Sequence, residues 1–436
     1  MNPWRAPPPP GAPFVLRNAT IPAALAGMPS REEILRVDIG VADGRLRFVA
    51  LAEAQTPCDW HEAEMAGAMV WPCFVEAHTH LDTTQIWPRS PNPDGAFDSG
   101  AAAIIADRES HWTAEDMRAR MDFGLRCAYA HGVRAMRTHI GSQNAQIEQR
   151  WEIFRDLRDA WAGRIALQAA PLISTEALDD DAALARILEV VRKSDGVLGA
   201  FAPMGGNIEA QLARIFDAAE RHDLALDFHA DETAAPASQG LLAIARLAKG
   251  RRFASPIQVG HACSLAMQDE ALIDETLDLV AEASIHIVTL PSCNLYLQDR
   301  RQGRTPRWRG ITLLKEMRAR GIPVSFGGDN CRDPFHPFGD FDMLEVFRDA
   351  VRIAHLEHPI GDWPRAVTTT PGALIAKAQG IAAEEPADLV LLRARSFNEL
   401  LARPQADRLL VRDGAFVAAD LPDYAELDHL MQKRLS

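Results

Sequence analysis

Eight short apolar runs recur along the middle of the chain, separated by amphipathic stretches, and this alternation limits the folds open to it. The runs are 73–79, 133–139, 165–171, 197–203, 224–230, 256–262, 285–290 and 323–329. Between them, segments such as Ala183-Leu184-Ala185-Arg186-Ile187-Leu188-Glu189-Val190-Val191 and Gln211-Leu212-Ala213-Arg214-Ile215-Phe216 carry apolar residues at the 3.6-residue helical spacing. Strand–helix repetition of this kind predicts an α/β fold on parallel strands. It would be either a closed eight-stranded barrel or an open doubly wound sheet. With 436 residues, 47% of them hydrophobic, the chain can bury a large core.

Two β-rich segments bracket this middle. The first holds Leu35-Arg36-Val37-Asp38-Ile39-Gly40-Val41, a turn signal at Ala42-Asp43-Gly44, and Arg45-Leu46-Arg47-Phe48-Val49. The second holds Ala387-Asp388-Leu389-Val390-Leu391-Leu392 and Arg408 to Val417. Each is too small to stand alone, and together they predict one small β-sandwich. The expected organisation is a flexible Pro-rich arm over 1–12, a composite sandwich from 13–68 plus 385–436, and a barrel domain over 69–384.

The functional signal lies where the apolar runs end. His78-Thr79-His80 closes the first run, and residues two apart on a strand face the same way. His229-Ala230-Asp231-Glu232 closes the fifth, His261 the sixth and Asp329 the eighth. Each has an ordinary explanation: a satisfied core histidine, a solvated turn, or an aspartate capping a helix. In a barrel, however, all four strand ends meet at one rim, and chance placement of 14 histidines rarely does that. Three imidazoles and a carboxylate (His78, His80, His229, Asp329) suit one divalent ion, which would lower the pKa of a water toward 7. Asp329 would take the water proton, Glu232 would carry it to the leaving group, and His261 would stabilise the tetrahedral oxygen. No barrel strand offers a lysine in a bridging position, which disfavours a carboxylated-lysine binuclear centre.

Bulk properties narrow the partners. A net charge of -14 argues against nucleic acid. Charged residues interrupt every apolar stretch before it could span a bilayer. The N-terminal Met1-Asn2-Pro3-Trp4-Arg5-Ala6-Pro7-Pro8-Pro9-Pro10 lacks a signal-peptide core. Cysteines 58, 73, 127, 263, 293 and 331 form no CxxC pair, as expected for reduced thiols in the cytoplasm.

From about residue 13 to 420 the chain resembles the amidohydrolase superfamily, and within it the cytosine deaminase branch. The motifs are Phe74-Val75-Glu76-Ala77-His78-Thr79-His80-Leu81-Asp82-Thr83-Thr84-Gln85, Val133-Arg134-Ala135-Met136-Arg137-Thr138-His139, His229-Ala230-Asp231-Glu232, Arg309-Gly310-Ile311-Thr312-Leu313-Leu314-Lys315-Glu316-Met317 and Gly328-Asp329-Asn330. The resemblance implies a distorted TIM (β/α)8 barrel with a small β-sandwich. It implies one Fe²⁺ or Zn²⁺ on His78, His80, His229 and Asp329, with Glu232 as proton shuttle and His261 beside the water. It also implies a homo-oligomer that acts on a small heterocycle.

Three departures bear on substrate. The branch has a glutamine after strand three where this chain has Pro171-Leu172-Ile173-Ser174. Asn330 stands for a second Asp, and Phe335 for a Trp. Losing a polar partner in a buried pocket leaves a substrate edge unpaired, so Ser174, Asn330 and Phe335 are the expected substrate contacts. Gly328-Asp329-Asn330 is similar to the Ser-Asp-Asn of s-triazine amidohydrolases. The expected activity is hydrolytic deamination of a cytosine-like ring; the alternatives are hydrolysis of a cyclic amide or an N-alkylamino group. A catalytically dead barrel is disfavoured, because all four ligands and Glu232 are kept. His139 shares the rim and reads as a supporting or structural residue rather than a pocket one. Tyr296 and Trp308 are candidate borders for a flat ring, and the stretch from Trp87 to about Gly100 is a candidate flap.

Overall fold

Apolar strands that alternate with amphipathic helices pack against them, and the computed structural model alternates the two through the middle of the chain. It describes residues 3–4, 6–54, 59–143, 146–202, 207–376 and 379–431. Parts of the expected arm (1, 2 and 5), Cys58, residue 203 of the fourth run and 432–436 lie outside the described residues. Five strands come first: β1 (Phe14–Pro22), β2 (Ile34–Ala42), β3 (Arg45–Leu51), β4 (His61–Glu64) and β5 (Met69–Pro72). Eight follow: β6 (Phe74–Thr79), β7 (Val133–Gly141), β8 (Ala166–Leu172), β9 (Leu198–Phe201), β10 (Leu226–Ala230), β11 (Ile257–His261), β12 (His286–Thr289) and β13 (Val324–Phe326). These are the eight apolar runs. Three more close the series: β14 (Leu389–Leu392), β15 (Leu409–Arg412) and β16 (Ala415–Val417).

The chain divides into two compact units: 1–75 with 128–135 and 342–421, and 76–127 with 136–341 and 422–436. In the first, strands from both brackets share one eight-stranded sheet in the order β16-β15-β14-β5-β1-β2-β3, with β4 on β1. The antiparallel pairing of β5 with β14, Pro72 opposite Leu389, joins early to late sequence. The expected Asp43-Gly44 turn links β2 to β3; both residues have positive φ (50° and 72°), as a two-residue hairpin requires. Leu16, Ile39, Val41, Val70, Leu389 and Val411 form the core of this sheet, and Trp4 packs against it.

In the second unit, β9 to β13 form a five-stranded parallel sheet in the order β13-β12-β11-β10-β9, while β6, β7 and β8 form a three-stranded one. Isolated parallel bridges join Thr79 to Asp329 and Ser174 to Phe201. The intervening helices follow local rules. Asp180 caps Asp181–Lys193 by accepting from the amides of Ala182 and Ala183, and that helix buries Leu184, Ile187, Val190 and Val191. Asp269 caps Glu270–Glu282 in the same way. No described helix is long and apolar enough to cross a membrane. The described cysteines are free and buried.

Candidate active site

The polar residues at the strand ends converge. His78 and His80 lie at and just beyond the end of β6, His229 ends β10, and His261 ends β11. Asp329 follows β13, and its amide donates to the His78 carbonyl at 2.9 Å. Asp329 Oδ1 lies 3.4 Å from His78 Nε2 and 3.1 Å from His80 Nε2. His229 Nε2 is 3.4 Å from His80 Nε2, and the His78 and His229 ring centres are 4.4 Å apart. Backbone geometry is strained here: His261 and Asp329 both take left-handed conformations (φ 72° and 64°), which functional sites tolerate more often than scaffolds do. Two glycines make room for His78. A Cβ on Gly260 would lie 2.8 Å from the His78 ring, and one on Gly327 would lie 3.1 Å from its Cβ.

Two groups of side chains bring potential ligand atoms within 4.8 Å of one another: His78, His80, His139 and His229; and His78, His261 and Asp329. Both nitrogens of His78, both carboxylate oxygens of Asp329 and Nε2 of His261 are buried with no hydrogen-bond partner among the described residues. Buried polar atoms left unpaired are costly, and a divalent cation would satisfy this set at once. Burial, with neighbouring rings adding to it, holds His78 and His229 well below the ordinary imidazole pKa. They are therefore neutral, the form that ligates a metal. The residues present fit a divalent ion.

The carboxylates divide in character. Burial pushes Glu232 well above the ordinary carboxyl range, and the charge of Asp329 adds to it. Burial works against ionisation of Asp329 too, but the proximity of His78 and His80 outweighs it and leaves that pKa well below the usual range. The two carboxyls are thus pushed in opposite directions, an arrangement suited to acid–base work. Glu232 Oε1 sits 3.4 Å from His261 Nδ1.

The expected substrate contacts are more dispersed. Asn330 is buried; its Nδ2 donates to Asp333 at 2.6 Å, and its Oδ1 accepts from the Cys293 thiol at 3.8 Å. Phe335 packs its ring on Phe97, centres 5.0 Å apart. The Ser174 hydroxyl accepts from the Ala177 amide at 3.2 Å, capping a turn. Tyr296 lies against His336, ring centres 5.8 Å apart. Trp308 donates its amide to Asp299. The 87–100 stretch is pinned by Arg89, ion-paired with Asp107 and Asp116, and by Asn92, which donates to the Pro334 carbonyl.

Asp227, Glu76 and Asn294 escaped the sequence reading; His139 did not. His139 Nε2 pairs with Asp227 Oδ1 at 3.0 Å; Asp227 Oδ2 in turn accepts from Arg137 and Gln258, each at 2.9 Å. Burial raises the Asp227 pKa, but His139 and Arg137 outweigh it and bring it to about 2. Glu76 accepts from the amides of His78 and Gly328. Asn294 Nδ2 donates to Glu232 and lies 3.1 Å from His261 Nδ1. A period-two signal marked some of these: Glu76-His78-His80, Arg137-His139 and Asp227-His229 each place polar residues on one strand face. Nothing comparable marked Asn294.

Residues 200–418 match the model of the amidohydrolase family. The chain is 47% identical over 426 residues to a pterin deaminase from Rhizobium rhizogenes, covering 97% of each. The solved structure of 5-methylcytosine deaminase from Klebsiella pneumoniae superposes with a TM-score of 0.80 at 22% identity, over 94% of this chain and 98% of that one. N-isopropylammelide isopropylaminohydrolase from Burkholderia multivorans superposes with a TM-score of 0.75 at 22% identity, with the same coverages.

Proposed function

The chain belongs to the amidohydrolase family, and from that premise we propose that it is a hydrolytic deaminase of a pterin-like amino-heterocycle. The reaction replaces an exocyclic amino group by oxygen: the ring carbon and water give the oxo product and ammonia. The observation that carries it is the convergence of His78, His80, His229 and Asp329 within hydrogen-bonding distance of one another, with Glu232 3.4 Å from His261 beside them. The fused-ring substrate rests on the 47% identity to a pterin deaminase.

His78, His80, His229 and Asp329 would hold one Fe²⁺ or Zn²⁺, which when bound supplies the Lewis acidity that makes water nucleophilic near neutral pH. Asp329 accepts the proton of the attacking water. Glu232 gives its proton to the ring nitrogen beside the amino carbon, takes up the proton that Asp329 removed from water and passes it to the amine, which leaves as ammonia when the carbon–nitrogen bond breaks; the hydroxyl proton released as the oxo group forms restores Glu232. His261 Nε2 faces the oxygen that gains charge in the tetrahedral intermediate. Asn330 reads the substrate edge, with Ser174 and Phe335 as outer contacts.

The same reading takes the three- and five-stranded sheets as one distorted (β/α)8 barrel spanning 69–384. The parallel bridges Thr79–Asp329 and Ser174–Phe201 support closure. It takes the mixed sheet of 13–68 and 385–436 as a β-sandwich behind a 1–12 arm. It also places the enzyme in the cytoplasm as a homo-oligomer acting on a small molecule, without nucleic-acid or membrane partners.

The test is ammonia release by Fe²⁺- or Zn²⁺-loaded protein from pterin, isocytosine, cytosine, 5-methylcytosine and N-alkylamino-s-triazines. Pterin should be the preferred substrate. Preference for cytosine would shrink the pocket to one ring. Amine release from the triazines alone would replace deamination with dealkylation, the second reading, which Gly328-Asp329-Asn330 favours.

A further inference from the structure

Beyond β12 the chain turns at Leu290 into a short helix, Pro291–Leu297, with proline at its first turn. This helix brings side chains to both proton-handling groups. Asn294 is wholly buried, and its Nδ2 lies 3.1 Å from His261 Nδ1 and 3.4 Å from Glu232 Oε1. One turn on, Gln298 Nε2 donates to the Glu232 carbonyl at 3.2 Å. Cys293, next to Asn294, gives its thiol hydrogen to Asn330 Oδ1. The amide nitrogen of Asn294 is the atom turned to both groups, and an amide nitrogen only donates. A donor facing Nδ1 of a neutral imidazole leaves the ring proton on Nε2. His261 Nε2 is the buried ring nitrogen without a partner among the described residues.

We propose that Asn294 is a positioning residue which, by donating to His261 Nδ1, fixes that ring as its Nε2–H tautomer. His261 then enters the reaction as a hydrogen-bond donor to the oxygen that gains charge, and is barred from serving as a base through Nε2. The catalytic part of this assignment rests on the deaminase reading above; the tautomer itself does not.

The experiment uses full-length, zinc-loaded protein with ¹⁵N-labelled histidine. The ring-nitrogen signals of His261, assigned by its loss in His261→Gln, report the tautomer directly. Wild type should show the Nε2–H form. Asn294→Asp keeps shape but replaces the donor by an acceptor, so it should move the proton to Nδ1 with bound zinc unchanged. With the deaminated substrate it should lower kcat by about 10²- to 10³-fold, the cost of one lost donor to a developing oxyanion, while KM changes little. An Nδ1–H ring in the wild type overturns the proposal. So does an Asn294→Asp protein with wild-type ring signals and kcat. If Asn294→Asp does not fold, Asn294→Ala serves: loss of the single-tautomer signal supports the proposal, and its persistence overturns it. Failure to release ammonia from any substrate would strike the deaminase reading alone, since the ring signals would still report on Asn294.

Discussion

Two buried polar clusters lie in the same unit and are finished differently. In the first, Arg89 spans Asp107 and Asp116, Arg120 also pairs with Asp116, and Trp112 Nε1 donates to Asp107. All four carboxylate oxygens accept hydrogen bonds. Arg120 also holds the carbonyls of Asp82 and Thr84, fixing the loop that follows His80. In the second cluster, both oxygens of Asp329 and both nitrogens of His78 lack a hydrogen-bond partner among the described residues. Burial alone therefore does not separate scaffold from site. The scaffold cluster closes the hydrogen bonds of its carboxylates, whereas the site keeps those of Asp329 open for something the chain does not encode.

That contrast can be broken by substitution. Asp329→Ala should give the largest effect, loss of bound metal by elemental analysis and of activity to background. Metal retained at wild-type stoichiometry would remove Asp329 from the ligand set. Glu232→Gln should keep the metal and lower kcat by about 10²- to 10⁴-fold, the usual worth of a general acid–base group. An unchanged rate would sink its role as shuttle.

In the closed cluster the expected loss is stability rather than chemistry. Arg89→Ala leaves Asp116 with Arg120 alone and Asp107 without a guanidinium partner, and should cost about 3–5 kcal/mol in urea unfolding, with kcat of the folded protein retained. A loss under about 1 kcal/mol would mean the pair is effectively solvated.

The smallest effect concerns acid. Burial pushes the Asp116 carboxyl up, but Arg89 and Arg120 outweigh it and leave its pKa lowered. A carboxyl lowered on folding stabilises the native state above its unfolded pKa of about 4, and that contribution is lost as pH falls through the folded value. Between pH 6 and pH 3, Arg89→Ala should lose less stability than wild type. Equal losses would show that Arg89 does not set the Asp116 titration.

Much of this was legible. Each of the eight apolar runs became a strand, and several of them, such as Leu226–Ala230, are buried along their whole length. His78, His80, His229, His261 and Asp329 were readable because they end those runs. Asp227 was hidden inside one, where a charge looked like an interruption; only its pairing with Arg137 and His139, far off in sequence, explains it. Asn294 lies in Pro-Ser-Cys-Asn-Leu-Tyr-Leu, a segment with no periodic signal, and its meaning depends on His261 arriving from another strand. Ser174 and Phe335 were chosen by comparing short motifs, which cannot show that a hydroxyl is engaged with the Ala177 amide or a ring with Phe97.

The pairing of β5 with β14 carries a consequence for biogenesis. Val70 and Trp71 leave the ribosome with one edge of their strand unprotected, and the residues that cover it, Val390 and Leu391, are among the later ones made. Until then the nascent chain exposes an apolar strand edge, a template for wrong pairing with a neighbouring copy. The sheet is closed late by contacts distant in sequence, which slows folding. Truncation before Leu389 would thus remove more than the last three strands; it would leave β5 as a sticky edge, and chaperone dependence would be greatest in the interval before β14 emerges.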